Sequence, residues 1–208
     1  NGKSLTEITD HIASPLGIGP TILPMSDDPI ATIIETSDGL LPFQHYFVRD
    51  RCEPAVRGFR FDGIETAKPN PKLMNLLDGG TLDAVIITPS NPFVSIDPIL
   101  SVAGVREALQ MLSSPIIAVS PIVGGQAIKG PAAKMMTELG LPSSALEVAK
   151  HYLGLIDGFV IDETDAAQAG EISNLGMKVK VAQTIMRDLD DRKQLATECC
   201  DFAATLHS

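Results

Sequence analysis

Two short loops hold residue types that bind phosphorylated ligands. Thr88-Pro89-Ser90-Asn91-Pro92 follows the apolar run Val85-Ile86-Ile87, and Ser120-Pro121-Ile122-Val123-Gly124-Gly125 follows Ile117-Ala118-Val119. Serine hydroxyls, an asparagine amide and bare glycine N–H groups donate hydrogen bonds to phosphate oxygens or base edges. If both runs are parallel strands, their loops leave one edge of the sheet, at the carboxyl ends where open α/β folds bind ligands. The same residues also end strands where no ligand is present, and spacing alone does not separate the two roles. Lys129 precedes a helix start at Pro131, so it stands where the positive end of the helix would assist a diphosphate. A solvated loop lysine is the plainer alternative. The order of residues is not that of a Walker A loop, because no Gly-Lys-Ser/Thr triplet occurs.

Asp27 and Asp28, in Met25-Ser26-Asp27-Asp28-Pro29, place two carboxylates in one turn. Paired acids hold Mg²⁺ or accept a proton from an attacking hydroxyl, but Asp-Asp-Pro is also an ordinary turn. The four histidines (His11, His45, His151, His207) are scattered, with no Asp/Ser partner at a triad spacing. The three cysteines (Cys52, Cys199, Cys200) form neither a disulfide framework nor a zinc pattern. Met135-Met136 reads as core, and Cys199-Cys200 as packing on a final helix.

The elements that must position the two loops alternate strand and helix. Ala84 to Ile87, Ile116 to Val119, Gly158 to Ile161 and Lys178 to Ala182 are predicted strands. Helical patterns fall between and after them: Val102 to Leu112, a helix after Pro131 that stops at Gly140, one capped by Ser143, Ala166 to Leu175, and Asp190 to Leu206. Such βαβ spacing predicts an α/β fold, a Rossmann-like parallel sheet flanked by helices. Residues 20–66 read as a small mixed β insert, with strands at Thr21 to Leu23, Ala31 to Glu35, His45 to Val48 and Val56 to Phe61. Asp27-Asp28-Pro29, Asp38-Gly39 and Asp62-Gly63 are its turn signals.

With 208 residues, 44% hydrophobic, the chain suffices for a real core, and disorder is excluded. Its formal net charge of −10 argues against a general nucleic-acid or anionic-membrane surface, so any phosphate must be held by particular loops. The longest apolar stretch, Pro115 to Gly124, is about half of what a bilayer requires. The opening NGKSLTEITDH lacks the pattern of a signal peptide, and the expected location is the cytoplasm.

Taken together, LPMSDDPIAT (Leu23 to Thr32), FQHYFV (Phe43 to Val48), TPSNPFVSIDPIL (Thr88 to Leu100) and SPIVGGQAIKGPAAKMM (Ser120 to Met136) resemble the signatures of the 2-phospho-L-lactate transferase family of coenzyme F-420 biosynthesis. The resemblance implies transfer of a phospholactyl or phosphoenolpyruvyl group from a guanosine diphosphate-linked donor to the ribityl hydroxyl of the deazaflavin Fo. GMP would leave, a phosphodiester would form, Mg²⁺ would be required, and the enzyme would be a homodimer. It further implies that Ser90, Asn91, Ser120, Gly124, Gly125 and Lys129 line the nucleotide diphosphate. Ser95 would support the first loop, and Asp27 and Asp28 would lie towards the metal or the acceptor.

One departure stands out. The family opens with a strand, a Gly-Gly-x-Gly-Gly-x-Lys turn and an Asn-x-x-Asp-Asp stretch, none of which occurs here. The expectation is therefore an incomplete domain, whose activity alone is in doubt. A related family, the UDP-sugar-binding gluconeogenesis factors, shares the fold and the Leu-Pro-Met-acidic-Pro element. It tends to carry Gly-Pro-Gly-Ser where this chain has Thr88 to Pro92, and it lacks the Lys-Gly-Pro of Lys129 to Pro131. Those two differences favour the transferase.

Overall fold

The computed structural model describes residues 2–206. Its central layer is a parallel sheet of four strands: β4 (Val85–Ile87), β5 (Ile116–Val119), β8 (Gly158–Asp162) and β9 (Lys178–Ala182), side by side in that order. A three-stranded antiparallel sheet precedes it, with β1 (Ala31–Thr36) between β2 (Gly39–Pro42) and β3 (Val56–Asp62). A short hairpin, β6 (Ile122–Val123) and β7 (Gln126–Ala127), follows β5.

β5 and β8 are buried along their whole length, as their apolar sequence requires up to the carboxylate of Asp162 that ends β8. Their side chains alternate between two cores. Ile116, Ala118, Phe159 and Ile161 face the larger one, with α3 (Asp97–Leu100), α4 (Val105–Gln110), α5 (Ala132–Glu138), α6 (Ala145–His151) and α7 (Ala169–Ser173). Ile117, Val119 and Val160 face the smaller one, closed by Leu195, Cys199, Phe202 and Ala203 of α8 (Leu189–Ala204). Burial pushes the Cys199 thiol up to about 11, so it packs as a neutral group. Ile34, Tyr46 and Val56 join the larger core, which ties the antiparallel sheet to the parallel one. No helix among the described residues is long and apolar enough to cross a membrane.

Local signals explain the helix starts. Ser4 and Glu7 form a reciprocal capping box on α1 (Leu5–Ala13), and Asn70 caps α2 (Pro71–Asp78) with proline in its first turn. Neither helix is expected from the reading of the sequence above. Asp188 accepts from the amides of Asp190 and Asp191 to start α8.

Several expectations are corrected. His45 to Val48 is not a strand: His45–Arg49 is a π-helical turn, because Tyr46 drops into the core while Phe43 and Phe47, four residues apart, stack. Thr21 to Leu23 has no strand partner. The helix predicted over Val102 to Leu112 begins only at Val105, since Gly104 is left-handed (φ +82°). Ser144, not Ser143, caps α6, and the segment Ala166 to Leu175 is part 3₁₀ helix (Glu163–Gln168) and part α7.

The carboxyl edge of the parallel sheet is organised by two buried carboxylates from the end of β8. Asp162 accepts from the Thr184 amide (2.9 Å) and hydroxyl (3.0 Å) and from the Thr164 amide (3.0 Å), so it joins the loops after β8 and β9. Asp165 accepts from the Gly124 amide (2.9 Å), joining the loop after β8 to the β6–β7 hairpin. Burial raises the Asp162 pKa, but the donors of Thr184 and Thr164 outweigh it and hold the carboxyl below its usual 3.8. A folded-state value lower than the unfolded one means that this carboxylate stabilises the fold above about pH 3.8, and that the contribution disappears as pH falls through the depressed value.

Two outcomes are expected. Gly158 allows α8 to lie against the sheet, because a Cβ there would sit 2.7 Å from Phe202, 2.9 Å from Leu206 and 3.0 Å from Ile117. Gly158→Val should lower unfolding free energy by roughly 1–3 kcal/mol in urea titrations, and an unchanged midpoint would contradict this packing. Asp162→Asn should cost about 1–3 kcal/mol at pH 7 and flatten the loss of stability on acidification. An acid limb as steep as the native one would show that Asp162 does not carry it.

Candidate functional site

A cavity of about 440 Å³ opens at the carboxyl edge of the parallel sheet. Three of its walls come from the ends of strands: Pro89, Ser90 and Asn91 after β4, Ser120 and Pro121 after β5, and Thr184, Ile185 and Met186 after β9. Ile128 to Pro131 forms the rim before α5, and Arg192 reaches in from the first turn of α8. Phe43 and Phe47 close the remaining side, their rings stacked with centroids 5.5 Å apart and planes 18° apart.

The charges in this cavity are one-sided. Among the described residues, neither Lys129 nor Arg192 makes an ion pair or a side-chain hydrogen bond, and both are exposed at the cavity wall. Arg49, Arg60, Lys150 and Lys180 are paired with surface carboxylates, whereas Lys129 and Arg192 face a hollow whose lining carries no Asp or Glu. Two unpaired cations facing one hollow constitute an anion-binding arrangement. The hydroxyls of Ser90 and Ser95, both lining the cavity, also have no hydrogen-bond partner among the described residues.

The structure gives the other anticipated residues different work. Asn91 accepts from the Phe93 amide (3.0 Å) and so starts the helical turn Pro92–Ile96, while its Nδ2 lies 3.2 Å from Met135 Sδ. The Ser95 amide donates to the Asn91 carbonyl (3.0 Å), which holds the loop from behind. Ser120 is buried, and its hydroxyl donates to the Ile122 carbonyl (2.9 Å) and accepts from the Ile122 amide (3.1 Å). Gly124 and Gly125 form the tip of the β6–β7 hairpin, both left-handed (φ +57° and +78°), as a tight two-residue turn demands. The Gly124 amide is already taken by Asp165, and neither glycine lines the cavity.

Asp27 and Asp28 stand apart from this cavity. Asp27 accepts from the Thr6 amide (2.7 Å) and hydroxyl (2.8 Å) and so fastens α1, while Asp28 accepts from the Lys68 amide (2.8 Å). Among the described residues, no three His, Cys, Asp or Glu side chains come together as metal ligands.

Phe43, Phe47, Thr184, Met186 and Arg192 are the lining residues not anticipated above. The i, i+4 spacing of Phe43 and Phe47 carried a usable signal. Arg192 carried none, because its place depends on how α8 crosses the sheet. Two other hollows are poorer candidates. One of about 210 Å³ is lined by Phe93, Met136 and His151, whose Nε2 is paired with Asp97 at 2.8 Å. The other, of about 640 Å³, is lined by Arg49, already paired with Asp50, and by Arg51 beside the carboxylates of Asp38, Asp50 and Glu53, so it offers no excess of positive charge.

Comparison with known proteins agrees with the motifs. The family described as 2-phospho-L-lactate transferase CofD matches residues 1–202. The 2-phospho-L-lactate transferase of Methanosarcina mazei is 40% identical over 196 residues, covering 94% of this chain and 63% of that protein. The phosphoenolpyruvate transferase of Streptomyces griseus is 34% identical over 207 residues, 97% of this chain and 64% of that protein. The chain thus spans less than two thirds of the length of these relatives. Two crystal structures of a Bacillus halodurans protein, one described as a member of the UPF0052 family, align with TM-scores of 0.64 and 0.58, each at 14% identity. They cover 95% and 91% of this chain and 67% and 64% of theirs, a likeness of fold alone. The chain belongs to the 2-phospho-L-lactate transferase CofD family.

Proposed function

We propose that the cavity binds the diphosphate of a guanosine diphosphate-linked donor, and that the protein transfers a phospholactyl or phosphoenolpyruvyl group to the ribityl hydroxyl of the deazaflavin Fo. The observation that carries this reading is the pair of unpartnered cations, Lys129 and Arg192, in one cavity at the carboxyl edge of a parallel sheet. The names of the relatives, 2-phospho-L-lactate transferase and phosphoenolpyruvate transferase, support the group transferred.

The chemistry balances simply. The acceptor hydroxyl oxygen attacks the phosphorus that bears the lactyl or enolpyruvyl group. A new P–O bond forms, the bridging P–O bond of the diphosphate breaks, and GMP departs with the negative charge while the hydroxyl gives up its proton. Catalysis of such a step is mainly positioning and charge neutralisation. Lys129 and Arg192 supply positive charge beside the diphosphate, and the Ser90 and Ser95 hydroxyls supply neutral donors. A Mg²⁺ ion bound with the donor would supply further positive charge to the diphosphate and the departing GMP.

Calorimetric titration with GDP tests this directly. Lys129→Ala and Arg192→Ala should each weaken GDP binding by about 10-fold, with a smaller salt dependence than the native chain. The same variants should slow GMP release from the donor in the presence of Fo. Unchanged GDP affinity in the double variant, or native preference for UDP-N-acetylglucosamine over GDP, would overturn the reading.

A further inference from the structure

The segment that carries Phe43 and Phe47 is held in a costly conformation. His45–Arg49, like Pro92–Ile96, is a π-helical turn, a rare form frequent at functional sites. It is followed by two consecutive left-handed residues that are not glycine, Arg51 (φ +49°) and Cys52 (φ +61°). Each such residue costs on the order of 1–3 kcal/mol and persists only where its surroundings over-determine it.

Those surroundings are visible. Tyr46 is fully buried, and its hydroxyl donates to the Cys52 carbonyl at 3.4 Å. Burial, with Cys52 and Glu138 nearby, raises the Tyr46 pKa well above the ordinary tyrosine value, so its O–H stays a donor. Lys134 of α5 lies 5.8 Å from the centre of the Tyr46 ring and donates to the Pro54 carbonyl at 2.9 Å. Glu138, paired with Lys134 at 2.5 Å, accepts from the Val56 amide at 2.9 Å. The turn is thereby clamped to α5, the helix that begins beside Lys129.

What the clamp delivers is an exposed aromatic ring. Phe47 is 42% exposed although it stacks on Phe43 at the cavity wall. What sets Phe47 apart from other exposed apolar side chains is its place: it stacks on Phe43 at the wall of the cavity that also holds Lys129 and Arg192. Ligands suited to that cavity present an anion to the cations and a planar ring to the phenylalanines.

We infer that the Phe43–Phe47 pair is a stacking platform for a planar heteroaromatic ring bound in this cavity beside the phosphate held at Lys129 and Arg192. The inference rests on the nucleotide and deazaflavin reading of the same cavity. Guanine and the deazaflavin share the required chemistry, and the test separates them.

Phe47→Leu keeps apolar bulk and removes the ring, whereas Phe47→Tyr keeps the ring. Fo binding is followed by the ligand's own fluorescence, as the chain has no tryptophan, and GDP and inorganic diphosphate by calorimetry. Phe47→Leu should weaken one ring-bearing ligand by about 5-fold or more, while Phe47→Tyr stays within about 2-fold of native. Loss confined to GDP assigns the platform to the base, and loss confined to Fo assigns it to the acceptor. Diphosphate affinity should be unchanged in both variants. Native-like binding of both GDP and Fo to Phe47→Leu would overturn the platform, as would an equal loss for diphosphate, or a native chain that bound neither ring. If Lys129→Ala leaves diphosphate binding intact while Phe47→Leu weakens a ring-bearing ligand, the anion reading fails and the platform survives.

Discussion

The burial of β5 and β8 on both faces is the constraint from which the remaining architecture follows. β5 is apolar throughout and β8 is apolar up to Asp162, so neither can face water on either side; helices cover both surfaces, and parallel crossover connections place them there. Each buried aliphatic or aromatic side chain in those layers contributes roughly 1.5–3 kcal/mol relative to exposure. Once the strands run parallel, the loops after β4, β5, β8 and β9 all emerge at one edge. The cavity is a consequence of that topology before it is a consequence of any single loop residue.

Two buried carboxylates turn this bundle of loops into a fixed surface. Asp162 and Asp165 make no contact that marks them as ligand-binding, yet between them they hold Thr184 and Gly124, one on the cavity wall and one at the hairpin tip. Accepting from backbone amides costs them their hydration and restores it as directed hydrogen bonds. The antiparallel sheet is joined by a different device, a shared core and the Lys134–Glu138 clamp, which brings an aromatic wall to an edge otherwise built from polar loops.

The parallel layer was legible in the sequence because continuous apolar runs and proline-rich strand ends admit few alternatives. The small sheet was partly legible: β1 and β3 match their alternating patterns, whereas FQHYFV suggested extended chain and formed a π turn. Its outcome depends on Tyr46 finding the core, a tertiary fact that no local window contains. The site was legible as a region rather than as a list of contacts. Ser90, Asn91, Ser95, Ser120 and Lys129 all line the cavity, but Asn91 and Ser120 also hold their own loops through side-chain hydrogen bonds, and Gly124-Gly125 answers to the geometry of a hairpin. Arg192, which completes the cationic pair, belongs to a helix that reads as ordinary amphipathic surface.

The lining of the cavity carries two cations and no carboxylate in a chain of net charge −10, and that local excess makes the pair informative. A crystal structure of the chain with GDP tests the central claim most directly. The account predicts diphosphate density between Lys129 and Arg192, above the Pro89–Asn91 turn. Nucleotide bound instead in the His151 hollow, or with both cations turned to solvent, would contradict it.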